Sequence, residues 1–549
     1  MTHQFARYLV PVIASAVFIS GCSGSGSGSN RADTGKQSAT KPSAPVKGGT
    51  LTIAINGQVV SIDAHQQADW NSMGAVFNLY DGLLTVDSKN ELRPLLAEKW
   101  EASPDGKRFT FTIRKGAKYH DGTPITAKTL KSNLERVLSA DLKSPQKADY
   151  DKLDKIEAPD DEHLIISWQT PTEPIQFFAN RVSSPWALSP DVAAAKGKDF
   201  ALAPVGSGPF KFESYTADDR LVLVRNDDYW AGAPYLDKLV ARIIPDANTR
   251  RVEMEAGTID VLMDVPPKDV QALKDKGMKI TRGPAAGMQA LALNLSKAPM
   301  NDLLVRKAVA YAIPKDALIK KVLFDYATPS VTGTHPASWG VNTDVKGYDF
   351  NPEQAKKLLD DAGWKPGPDG IRVKDGKRLA ITYAARNDET WMLIAQTVQE
   401  SLKNIGIDVT IDAKDWGAFL EAMRAGNYDV AYWSLGGYSF EPQGFTWNLR
   451  STAYWNVSQI NKSPETKALS KQIDDLLNAG EAEIASKEKR GQIYKEFQKQ
   501  IVDNVLMVPL WHLDRVTAVQ PWVEGLDVPT LISSVRAEKA WINPAAKQK

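Results

Sequence analysis

The run from residue 380 to residue 447 constrains the fold more tightly than any other part of the chain. Ile394, Val398 and Leu402 recur at i, i+4 and i+8 and stop before Gly406, as on one buried helical face. IDVTI then alternates Ile407, Val409 and Ile411, the period-two pattern of a strand. A second helix is expected over about 416–424, leading into YDVAYWSL as a further strand. This strand–helix–strand order reads as α/β. It places WSLGGYSFEPQGFTW (433–447) just past the carboxyl end of a sheet strand, where open α/β sheets bind ligands.

That stretch combines aromatic side chains, the Gly436-Gly437 pair and a single carboxylate, Glu441, before a proline. A loop so apolar is either a buried corner or the wall of a binding site, and its position after a strand favours the wall. Elsewhere the pattern is also mixed. FTFTIRKGAKY (109–119) alternates as a strand. HDGT then turns the chain toward a helix over about 127–138, with Thr126 as N-cap. Asn351-Pro352-Glu353 caps another helix, which ends at Gly363.

The N-terminus speaks about location. One arginine, Arg7, precedes an apolar run over residues 8–19, far short of the ~20 apolar residues needed to span a bilayer. It reads as a secretory h-region, residues 1–21 being the signal peptide. Ile19-Ser20-Gly21-Cys22 resembles the lipobox of bacterial lipoproteins, and Cys22 is the only cysteine of the chain. A lone cysteine cannot build a disulfide framework, which leaves lipidation as the expected role of Cys22. Residues 22–47, rich in Ser and Gly, hold almost no large apolar side chain and read as a flexible tether. Such a tether reaches ~5–6 Å times the square root of its length.

The remaining ~500 residues exceed a single hydrophobic core. With 67 Lys and Arg against 66 Asp and Glu, the net charge is +1, so no basic excess supports a nucleic-acid partner. The six histidines, His3, His65, His120, His163, His335 and His512, are scattered without metal-ligand spacing. No G-x-S-x-G elbow, Walker A loop or G-x-G-x-x-G follows a strand. No enzyme, cofactor or metal site is therefore expected, although a carboxylate pair of a secreted hydrolase acting on a polar polymer or conjugate stays open.

Several segments together resemble the family 5 extracellular solute-binding proteins that serve ABC importers. They are GGTLTIA (48–54), LYDGLLTVD (79–87), the run from LRPLLAEKW to HDGTPITA (92–127) and GSGPFKFESY (206–215). ANTRRVEMEAGTIDVL (247–262), LVRKAVAYAI (304–313) and VPLWH (508–512) continue the match. The resemblance implies a two-lobed flytrap, a periplasmic-binding-protein fold with an extra subdomain in lobe I. Lobe I would span 48–286, its subdomain about 84–205, and lobe II 287–509. Residues 510–549 would return to lobe I, with segments 288–295 and 508–513 as hinge. A solute closing such lobes does so by binding the closed form better than the open one. The implied partners are a small-molecule or short-peptide solute and a membrane permease, with the receptor itself a monomer.

The resemblance also speaks to the site. Peptide-binding members capture the α-ammonium with an aspartate in the loop that precedes a D/E-P dipeptide. Here no acid lies between Trp433 and Glu441, and Glu441 itself matches the dipeptide acid, which is expected to serve the following turn or helix start. Gln443 stands where nickel-binding relatives carry a histidine, which weakens a nickel reading. Gln58 follows the first lobe I strand, where family members often meet the solute. Arg386 lies near the position of a carboxylate-binding arginine in dipeptide-binding relatives. Trp391, Trp433, Gly436, Gly437, Tyr438, Phe440 and Trp447 complete the expected wall, any two of the aromatics being alternatively core. The implied solute is a peptide or peptide-like polar molecule, with a metal chelate or saccharide as the alternative.

Overall fold

A strand of 13 residues, Met507–Val519, organises the molecule because both halves of the main sheet are built on it. Its first part pairs antiparallel with Met288–Leu293, and its second part with Lys279–Pro284 and Val261–Leu262. The structure is a computed structural model. It describes residues 44–57, 59, 61–66, 72, 76–86, 91–171, 178, 186–285, 287–436, 440–442, 448–453, 456–528 and 535–547.

From that strand a twelve-stranded sheet extends both ways. On one flank Thr50–Ile55 lies parallel to Lys238–Ile243 and Val261–Leu262. On the other, Ala380–Arg386 lies parallel to Asp408–Lys414 and Val430–Leu435. Each flank has its own hydrophobic core. One gathers Leu291, Tyr383, Val398, Val430 and Trp511; the other gathers Leu51, Ile53, Phe77, Leu239 and Val535. A third core forms between the helix Ala127–Leu138 and the four-stranded sheet of Ala97–Ala102, Arg108–Ile113, His163–Trp168 and Leu153–Glu157. This is the two-lobed α/β fold, with its extra subdomain, that the motifs imply.

Local signals explain the elements. Thr126 caps Ala127–Leu138 in a capping box with Thr129, and Asn351 caps Pro352–Asp361 with Pro at the first turn. One expectation fails. The strand starting near Phe109 stops at Ile113 instead of running to residue 119, because Gly116 turns the chain at φ +79°.

The segments that carried the family resemblance meet in space. His120 of the HDGT turn accepts the Gly206 amide at Nδ1 (3.1 Å), and its Nε2–H donates to the Gly208 carbonyl (3.0 Å). A Cβ at Gly206 would stand 2.1 Å from the Leu79 carbonyl oxygen, so only glycine admits this approach. His120 is therefore a clip between two turns. Nearby, Arg136 of the subdomain helix forms two hydrogen bonds to Asp63 (3.0 and 2.6 Å) and one to His65 Nδ1 (3.1 Å). Near the C-terminus, Arg536 reaches the buried Asp81 (3.4 Å), which also accepts from Tyr229 and Trp230.

Burial holds three of these histidines neutral. It pushes His65 and His120 down to about 4 and His512 down to about 3. Unfolded histidine titrates at ~6.5, so between that pH and the folded values the unfolded chain binds more protons. Stability is thus present above about pH 6.5 and is lost as the pH falls toward 3–4, each group contributing at most about 3–5 kcal/mol. Urea unfolding midpoints should start to decline below about pH 6.5. A midpoint that stays flat down to pH 4.5 would contradict the neutral buried assignment.

Candidate functional site

The carboxyl ends of Ala380–Arg386 and Val430–Leu435 come out at one edge of the sheet. Asp388 follows the first strand and caps the helix Glu389–Lys403, accepting the Trp391 amide at 3.0 Å. The cap fixes the Trp391 ring, which stands edge-on to Tyr432 (4.7 Å, 86°) and to Phe419 (5.5 Å, 89°). Phe419 in turn stacks on Trp433 and on Trp416 (5.8 and 5.9 Å). The Arg386 guanidinium lies 5.2 Å from the Trp416 ring and 5.9 Å from Trp391, with Nε 3.1 Å from Asp388. The edge is thus an aromatic platform bearing one cation.

The expected residues are placed unevenly on it. Arg386 is exposed and Trp391 half-buried, while Trp433 is only 6% exposed and belongs to the core of its sheet flank. Trp433 therefore backs the platform more than it faces outward. Gly436 is half-buried directly after its strand. Phe440 is half-buried, stacks on His335 (4.4 Å, 30°) and packs against the core of the opposite flank. Gln58, Gly437, Tyr438 and Trp447 lie outside the described residues.

Two residues escaped the sequence reading as site candidates. Ser434 is the single exposed position of Val430–Leu435, and its Oγ accepts from Gln289 Nε2 (2.9 Å) on the adjoining strand. A serine breaking an otherwise apolar strand was the available signal. Trp416, 49% exposed beside Arg386, was legible only as a helix start.

Glu441 reaches a distant segment. Trp339 Nε1–H donates to both carboxylate oxygens (3.0 and 3.1 Å), and Arg490 Nη1 lies 3.7 Å away. Lys487 and Arg490 face the same indole at 4.9 and 5.8 Å. Gly340 completes the joint, since a Cβ there would stand 2.3 Å from Pro442 Cγ. The acid thus bolts the loop after Leu435 to the helix Lys487–Asp503. Among the described residues, no group of three or more His, Cys, Asp or Glu is arranged to hold a metal.

A family model described as bacterial extracellular solute-binding proteins, family 5 Middle, matches residues 91–457. The chain belongs to this family. Among its family 5 relatives, the oligopeptide-binding protein AppA of Bacillus subtilis is 28% identical over 543 residues, 96% of each chain. The glutathione-binding protein GsiB of Pectobacterium atrosepticum is 28% identical over 460 residues, 82% of this chain and 86% of the relative. The crystal structure of NikA from Brucella suis in complex with Fe(III)-EDTA superposes with a TM-score of 0.81 at 26% identity. It covers 90% of this chain and 100% of that one. Family 5 proteins are extracytoplasmic solute receptors of ABC importers, not enzymes. No helix among the described residues is long and apolar enough to cross a membrane.

The Glu441 joint can be separated from solute binding. Glu441→Gln removes the charge facing Arg490 and should lower unfolding stability by ~1–3 kcal/mol in chemical denaturation. Affinity for a bound peptide should change less than threefold. Unchanged stability with collapsed affinity would make Glu441 a solute ligand.

Proposed function

We propose that this protein is a membrane-anchored receptor that captures a peptide or peptide-like solute between two lobes and delivers it to an ABC importer. The observation that carries the reading is the platform at the strand ends, where Arg386 lies over Trp416 and Trp391 and Ser434 is the exposed position of the neighbouring strand. Aromatic faces take up apolar solute surface, and a few polar groups set its orientation. AppA and GsiB, which bind an oligopeptide and glutathione by name, support a peptide-like solute.

Charge refines the class. No acid lies between Ser434 and Phe440, so a free α-ammonium gains no partner from this loop. Arg386 offers a planar fork to a carboxylate, with charge-assisted hydrogen bonds worth ~1.5–3 kcal/mol. Asp388 meets the guanidinium at Nε, 3.1 Å away. The solute thus carries an acidic or neutral polar end and an apolar or planar body. We place lobe I at residues 48–286 and 510–549 and lobe II at 287–509. The ladder between Lys279–Leu293 and Met507–Val519 serves as hinge.

Calorimetry on short peptides with free and acetylated amino termini tests the site. Acetylated peptides should bind as well as free ones, and Arg386→Ala should weaken both by about ten- to a hundredfold. Tenfold tighter binding of the free termini would place an ammonium-binding acid elsewhere and overturn the reading of the loop.

The anchor rests on Ile19-Ser20-Gly21-Cys22 and on the tether that follows. Lipid on Cys22 would hold the receptor beside its permease with the folded body free to turn. Cys22→Ala should release the protein from membranes with its unfolding midpoint unchanged. Retention of the variant after a carbonate wash counts against the anchor.

A further inference from the structure

Two ion pairs join segments that pack into different cores. Lys268, in the turn Pro267–Asp269, meets Glu389 at 2.6 Å. Lys152, just before the strand Leu153–Glu157, meets Glu481 at 3.6 Å. The turn bearing Lys268 runs into a short helix that buries Val270 and Leu273 in a small core with Val516 and Ala518. Glu389 opens the helix that buries Ile394, Val398 and Leu402 in the flank of Tyr383. Lys152 adjoins the four-stranded subdomain sheet, while Glu481 belongs to Lys467–Ala482, which buries Ile473 and Leu477 in the Tyr383 flank. In both pairs the cation stands on the side placed in lobe I and the acid on the side placed in lobe II.

The second contact also has an apolar half. Ile484 Cδ1 lies 1.5 Å from where a Cβ at Gly106 would stand, so its side chain rests directly on the subdomain turn. Gly106 is buried although Pro104 and Asp105 beside it are exposed.

Exposure separates these contacts from the buried bolts of the fold. Asp81 and Arg536 are nearly sealed from water, and parting them would strand a charge. Lys268, Glu389 and Lys152 are exposed and Glu481 is half-buried, so water takes up the charges when the partners separate. Each acid also keeps compensation on its own side. Glu389 occupies the first turn of its helix, at the positive end of the dipole. Glu481 also meets Arg450 at 2.5 Å. Exposed pairs of this kind shift an equilibrium by at most about fivefold each, too little to hold a fold but enough to bias a hinge.

We propose that Lys268–Glu389 and Lys152–Glu481, with Ile484 on Gly106, form a two-point clasp that is made when the lobes close and released when they open. This rests on the two-lobed receptor reading above and gives the subdomain a part in closure. The first point lies one residue from Asp388, the partner of Arg386, so it closes beside the cation of the platform. Because each contact is weak, the empty receptor still opens to admit solute, and the bound solute has less left to supply for closure.

The test needs no solute. The full chain carries Cys22→Ala, which leaves no native cysteine, together with Lys274→Cys and Gln396→Cys at exposed positions on either side of the first contact. Spin labels there report the distance between the lobes by pulsed electron resonance. At about 0.01 M salt the short distance of the clasped form should be populated beside a longer one, and about 1 M salt should lower the short-to-long ratio by screening. Lys268→Met and Lys152→Met should each lower that ratio about two- to fivefold at low salt. Glu389→Gln added to Lys268→Met should lower it no further, as for two residues that act as one contact. With both lysines replaced, the ratio should no longer respond to salt. A ratio indifferent to the variants, a long distance alone at low salt, or a ratio that rises with salt would each overturn the clasp. Peptides that bind in the calorimetry above would then leave the receptor reading standing. A clasp that responds as expected in a chain that binds no peptide would overturn the peptide reading alone.

Discussion

The fold depends on one backbone ladder. Met507–Val519 gives its first residues to one flank of the sheet and its last to the other, so neither flank can form its central pairing without it. Backbone groups in a buried strand must be paired, and here both sets of partners lie on the same few residues. The register shifts once, between Gln289 and Ala290, where Met288–Leu293 enters the ladder. A bulge at that point bends a strand, beside the boundary of two separately packed cores.

Charged groups fasten the pieces that the ladder does not reach. Asp63 and Arg136 tie the subdomain helix to the chain that follows the first strand, and His65 accepts a third bond from the same guanidinium. Asp81 and Arg536 do the same for the returning C-terminus. Buried pairs of this kind stabilise little compared with apolar isosteres, but losing one partner is expensive, so they fix which segments meet. The Lys268–Glu389 pair at 2.6 Å differs: it is exposed, joins the turn at Pro267–Asp269 to the start of the helix Glu389–Lys403, and adds little in salt.

Much of the local physics was readable in the sequence, though not the turn at Gly116. Thr126 and Asn351 cap their helices, and Ile394, Val398 and Leu402 do mark a buried face. The family motifs were readable too, although only the structure gives their reason: His120, Gly206 and Leu79 touch. The site was less legible because its partners are remote in sequence. Nothing near Glu441 announces Trp339 or Arg490. Trp433 and Trp391 look alike in the sequence, yet one is core and the other half-buried, and both meet Phe419 from another helix.

The returning C-terminus has a consequence for biogenesis. Val535, Ala537 and Ala540 complete the core that begins with Leu51, and Asn78 is bonded to Val535 and Ala537 at both ends of its side chain. These residues are made long after Leu51. Until then the first-made flank lacks a wall of its core and the counterion of Asp81, and it stays short of its native stability. The architecture thereby ties completion of the first-made flank to segments far along the chain.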